Sequence, residues 1–315
     1  MKKFVMTAVA AAALSAGVAQ AYTVGTFSNG VVVPNVVHNT ITDTTAVGFV
    51  NQSAGTIGVF WTFFDQNSNH VTDGCFPMTS KQYKPFIWSQ ESGVGMEGKR
   101  GYLVFAVGAN TAAASTAAAC AASNATAQGS GAVLAASAFQ VNTAAQDVAF
   151  VPVIDGPLTI DLTGAAGGTS LSDMGPDSLT AVAGAALVTG NTFSLRYGVD
   201  GAVNSGVDTR IAVWSLGDQR GTHTVNMYDD QQNRKSVNFA LKEAELSWFD
   251  PETIVGRPAS FRDGFIEWKP SITPADFPGT APLSGVTTRG VFAYSTIIAP
   301  AFGAVQSILG AHIVP

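Results

Sequence analysis

Apolar residues in this chain come in short runs separated by Gly, Pro, Asn, Asp and Ser, a pattern that predicts strands rather than helices. In the first half the runs cover 30–34, 46–50, 59–64, 84–88, 102–107, 149–154 and 158–162. In the second they cover 191–197, 210–214, 222–228, 236–240, 243–249, 259–268 and 290–298. Trp61 alternates with Val59 and Phe63, as the inward face of a sandwich strand does. Residues 179–188 carry enough Ala to allow a short helix instead.

Residues 44–70 and 208–234 carry one ungapped pattern, 164 positions apart, as Asp65 is from Asp229. Each has a short apolar strand, a polar gap, a second strand ending in an aromatic, and a polar turn. Identity is confined to Thr45/Thr209, Asp65/Asp229 and Asn69/Asn233, so the match lies in hydrophobic pattern and turn chemistry. Trp88 and Trp248 extend it weakly, each near the end of the strand that follows. Internal repetition decides architecture first. The expectation is an all-β protein of two tandem Ig-like antiparallel β-sandwich modules with an Ala/Ser/Gly-rich insertion. Module 1 would span 22–163 with the insertion at 110–138, where Ser, Thr, Asn and Gly interrupt any helical stripe. A linker at 164–178 and module 2 at 179–315 complete the division.

The first 21 residues read as a cleaved signal peptide: Lys2 and Lys3, an apolar Ala-rich run, then Ala19-Gln20-Ala21. The chain is therefore expected outside the cytoplasm, in the periplasm or at the cell surface, with no membrane span in its mature part. The apolar stretch 296–315 lacks a basic stop-transfer tail, and the uneven strands lack the ten-residue alternation of an outer-membrane barrel. Only 12% of residues are charged and the net charge is −6, with no basic cluster beyond Lys99-Arg100 and Arg234-Lys235. Nucleic-acid binding needs a concentrated cationic face, so none is expected. In an oxidising compartment Cys75 and Cys120 predict a disulfide closing a loop of about 45 residues; two separate buried thiols are the alternative.

Catalytic motifs do not emerge from the pattern. There is no Gly-x-Ser-x-Gly elbow, phosphate loop or His-Glu-x-x-His, and no enzyme activity is expected. Asp250, Glu252, Asp263 and Glu267 lie near one another in sequence and are the carboxylates on which a secreted hydrolase would depend. Asp65, Asn67, Asn69 and Asp73 space oxygen ligands as calcium loops do, although His70 stands where such loops carry Gly and Phe76 where they carry Glu. The alternative for these residues is a hairpin turn whose Asp and Asn bond their own backbone. Trp268, beside Lys269 and Pro270, is the tryptophan expected to be exposed for stacking on a sugar. The function expected first is an exported surface, matrix or filament-type structural or adhesive protein, self-associating through edge strands or meeting a cell-surface glycan or protein. The alternative is a secreted glycan- or ligand-binding module, with calcium as its one candidate cofactor.

Overall fold

The computed structural model describes residues 26–144, 146–165, 167–182, 191–199, 206–274, 290–299 and 304–313, and the expected signal peptide lies outside them. The first half contributes nine strands: β1 (Gly30–Thr40), β2 (Asp43–Asn51), β3 (Ile57–Asp65), β4 (His70–Met78), β5 (Tyr83–Ile87), β6 (Lys99–Val107), β7 (Leu134–Asn142), β8 (Asp147–Val151) and β9 (Ile154–Asp155). Hydrogen bonds join them antiparallel as β4-β3-β6-β1-β9 and as β5-β2-β7-β8. The β1–β2 hairpin links the two sets. They close over a core that includes Val31, Phe49, Trp61, Phe63, Phe86, Trp88 and Phe105.

A two-stranded ribbon follows, β10 (Leu158–Ile160) with β11 (Leu179–Val182). The second half contains β12 (Thr192–Gly198), β13 (Asp208–Ser215), β14 (Gly217–Asp218), β15 (Gly221–Asp229), β16 (Arg234–Leu241), β17 (Leu246–Phe249), β18 (Asp263–Trp268), β19 (Thr273–Pro274), β20 (Val291–Ala299), β21 (Ala304–Leu309) and β22 (Ala311–Ile313). Its sheets run β16-β15-β18-β12-β22 and β17-β13-β20-β21, with β14 and β19 paired apart. Read strand by strand, these orders repeat those of the first half. The all-β, sandwich-like arrangement of antiparallel sheets expected from the strand pattern is what the chain adopts.

Three hydrophobic layers hold the molecule together. The first and third fill the two halves. The middle layer packs Val32, Phe60, Phe64, Tyr102 and Val104 from the outer face of β1, β3 and β6 against Trp214, Leu246, Phe292 and Tyr294. Strand β3 is therefore buried along almost its whole length, whereas β15 buries every second residue. That contrast is already written in the continuous run 59–64 and the alternating run 222–228, because a strand covered on both faces needs apolar residues at both parities.

The structure corrects three boundaries. Residues 134–138, assigned to the insertion, begin β7, where pairing with β2 overrides the poor strand propensity of Ala. The remaining insertion holds an α-helical turn, Thr116–Ala119, capped by the Ser115 hydroxyl accepting from Ala118 N, and a 3-10 turn, Ala122–Asn124. The stretch 164–178 is no open linker, since Leu171 and Met174 are buried in the middle layer. Residues 179–182 form a strand, and 183–190 lie outside the described residues. The two tryptophans are not equivalent either. Phe86 pairs with Val47 as Phe249 pairs with Ile211, so Trp248 matches Pro85 and Trp88 starts the turn after β5.

Candidate functional site

The turn between β3 and β4 is organised by Asp65, whose carboxylate accepts hydrogen bonds from Asn67 N (2.8 Å), Asn69 N (3.0 Å) and Asn69 Nδ2 (2.9 Å). Asp229 does the same for the turn between β15 and β16, accepting from Gln231 N (3.0 Å), Asn233 N (2.8 Å) and Asn233 Nδ2 (2.8 Å). The Asn233 amide, foremost, holds the Asp229 carboxyl below its ordinary range. Ser68 and Gln232 occupy the left-handed position in the two turns, at φ 61° and 68°. The Thr45 hydroxyl accepts from Val37 N (2.9 Å), and the Thr209 hydroxyl from Gly198 N (2.8 Å). Of the three residue pairs identical in 44–70 and 208–234, Thr45/Thr209 and Asp65/Asp229 thus fix the backbone at matching points, and Asn69/Asn233 hold the Asp carboxylates in place.

The first of these turns is also the clamp between the halves. Gln66 O accepts from Glu245 N and Leu246 N, both at 3.1 Å, while Gln66 Nε2 donates to Leu246 O at 3.1 Å. Asn67 donates to Glu243 Oε2 (2.7 Å) and accepts from Ala244 N (3.0 Å). Glu245 is 2% exposed, and its Oε2 accepts from the Ser68 hydroxyl and from Tyr102 OH (2.6 Å). A buried carboxyl is tolerable only with such partners. Burial, and then the negative charge of Glu245, push the Tyr102 phenol well above its ordinary range. Nearby, Asn35 joins Arg100 Nη1 (2.6 Å) to Tyr294 OH (2.8 Å), and the Arg100 guanidinium lies 4.4 Å over Trp248. Burial raises Tyr294 to about 12 and lowers Arg100 to about 10. The sequence reading missed Glu245 and Tyr102, because Glu243 and Glu245 at the head of the run 243–249 look like a solvated strand end.

The residues singled out from sequence go elsewhere than expected. Asp65 spends its oxygens on its own turn, Asn67 faces Glu243, and Asp73 sits in β4 opposite Thr62, beside His70 Nε2 at 3.2 Å. Thr62 lies three steps from Asp65 along β3, about 10 Å, so Asp73 stands apart from the Asp65 turn and Asp65, Asn67, Asn69 and Asp73 do not converge on one point. Trp268 is 1% exposed in the third core, packed on Phe239 and His223, which removes it as a sugar platform. Cys75 and Cys120 are joined, with Cα atoms 5.8 Å apart, as expected. The hydrolase carboxylates have separate partners: Asp250 meets Arg210 (2.9 Å), Asp263 meets Arg196, Glu267 meets Asn226 (3.1 Å) and Glu252 lies 3.9 Å from Arg257.

Two outer faces remain, and they differ in chemistry. On β5-β2-β7-β8 the outward rows read Tyr83–Val50–Ala135, Pro85–Gly48–Ser137, Ile87–Ala46–Phe139–Phe150 and, at one end, Val141–Val148. Tyr83, Val148, Val50 and Phe139 are 64, 56, 39 and 37% exposed, and none of these positions bears a charge. The Tyr83 ring lies across Gly48, where any Cβ would stand 2.8 Å from its hydroxyl. On β16-β15-β18-β12 the outward residues are mostly polar or charged. Thr224 donates to Asn238, Asn226 to Glu267 and Arg234 to Asn226, with Phe265 stacked on Tyr228 at one edge.

No family model matches the chain, and no curated protein does. Among solved structures, a deletion mutant of Bacillus subtilis oxalate decarboxylase is similar over 90% of this chain and 68% of that chain, at 8% identity and a TM-score of 0.18. So loose a superposition carries neither a fold assignment nor an activity.

Proposed function

We propose that this chain is an exported, non-enzymatic structural or adhesive protein, a tandem of two equivalent Ig-like β-sandwich modules that acts through its surfaces. One observation carries the reading: the polar residues shared by the halves, and those at their seam, serve as scaffolding. Thr45 and Asp65, like Thr209 and Asp229, bond backbone, Asn69 and Asn233 donate to the Asp65 and Asp229 carboxylates, and Ser68, Tyr102 and Glu245 bond one another across the seam. Low charge density and the signal-like N-terminus support an exported building block that meets other surfaces. The glycan-binding alternative loses the tryptophan on which it depended.

Fractionation of the producing cell tests this. The mature chain, its N-terminus at Tyr22, is expected in a surface or matrix fraction. Recovery as a freely soluble species with hydrolase activity that survives purification contradicts the proposal.

A further inference from the structure

We propose that the outward face of β5, β2, β7 and β8 docks against the same face of a second copy of this chain, forming a closed two-fold dimer. The inference rests on the structural reading above and names the partner. The strand order supplies the precedent. Val50 pairs with Tyr83 and Ala135 as Trp214 pairs with Leu246 and Phe292. Gly48 pairs with Pro85 and Ser137 as Ala212 pairs with Trp248 and Tyr294. In the second half that face is the one covered, buried in the middle layer against another sheet. The first half presents its counterpart apolar, without charge and partly exposed, with β21 lying against its β8 edge. A face of this composition takes a second apolar sheet.

The opposite end of the molecule does not offer one. Where β3 and β6 carry Phe60 and Val104 into the middle layer, β15 and β18 carry Thr224 and Glu267. Seating Phe139 and Val148 over Glu267, Asn226 and Arg196 would strip water from charges and return no partner. Head-to-tail growth is therefore disfavoured. Two copies of the uncharged face meet around a two-fold axis without like-charge contact, and the dimer then presents polar faces at both ends, so assembly stops at two.

Sedimentation velocity on the full mature chain tests this at micromolar concentration. Three proteins are compared: wild type, Phe139→Lys/Val148→Lys, and the polar-end control Thr224→Lys/Asn238→Lys. Wild type and control are expected at twice the chain mass. The face variant is expected as a monomer, its dissociation constant raised at least about a hundredfold by two unpaired buried charges. Its circular dichroism spectrum should match wild type, since Phe139 and Val148 are 37% and 56% exposed, and its melting temperature should fall only by the share that dimerisation contributed; Tyr83→Glu provides a second variant should the fold not hold. A wild-type monomer overturns the dimer but leaves the surface-fraction test of function standing. Self-association that survives the face variants overturns this face and leaves self-association itself intact. Binding of the wild type to phosphatidylethanolamine–phosphatidylglycerol vesicles, lost in the face variant, overturns the second copy in favour of a membrane surface.

Discussion

At the scale of single residues, Thr45 and Thr209 do the same work in a place where loss is costly. Each is fully buried, and each hydroxyl accepts the N–H of a residue in the preceding strand. Thr45→Val keeps the shape and strands the Val37 N–H, so it should cost about 1–3 kcal/mol in a urea titration. Thr209→Val should cost more, because the Thr209 hydroxyl also donates to Gly198 O at 2.7 Å. The buried phenols give a pH signature. Burial raises Tyr294 to about 12 and Tyr102 well above its ordinary range, so the folded state holds protons that the unfolded chain releases from about pH 10. Their contribution to stability is intact below about pH 10 and is lost as pH rises through the folded values. Tyrosinate absorbance should show the Tyr102 and Tyr294 phenols ionising together with unfolding. Turn chemistry was legible here, since Asp and Asn at 65, 69, 229 and 233 name their own turns. Glu245 was not, because only the fold brings Ser68 and Tyr102 to it.

At the scale of elements, parity of the apolar pattern decides which strands are covered on both faces. Phe60 and its counterpart Thr224 occupy matching places in β3 and β15, one inside the middle layer and one outside it. Phe60→Thr should therefore destabilise by about 3 kcal/mol or more, read by chemical denaturation. This burial was legible in the unbroken apolar run 59–64, which leaves neither face of the strand fit for water. Strand β7 was illegible because Leu134–Ala138 is mostly Ala, and only its pairing with β2 makes it a strand. The disulfide was legible from compartment and count alone. Replacing Cys75 and Cys120 together by Ser releases the loop between them and should lower stability by about 4 kcal/mol on the chain-entropy account, measured as a drop in midpoint temperature.

At the scale of the molecule, the two halves share a hydrophobic layer, and a seam built on Glu245 lies beside it. Residue pattern alone indicated two sandwiches in sequence; it did not indicate that one face of each would be used up against the other. The run 59–64 marks β3 as covered on both faces, but what covers the second face becomes readable only once strand order places β3 and β6 against β13 and β20. The consequence is mechanical: neither half can open without exposing Phe60, Tyr102, Trp214 and Phe292 to water. Differential scanning calorimetry of the chain from Tyr22 onward tests this most directly. The account predicts one transition whose calorimetric and van't Hoff enthalpies agree. Two resolved transitions, one per half, would contradict it.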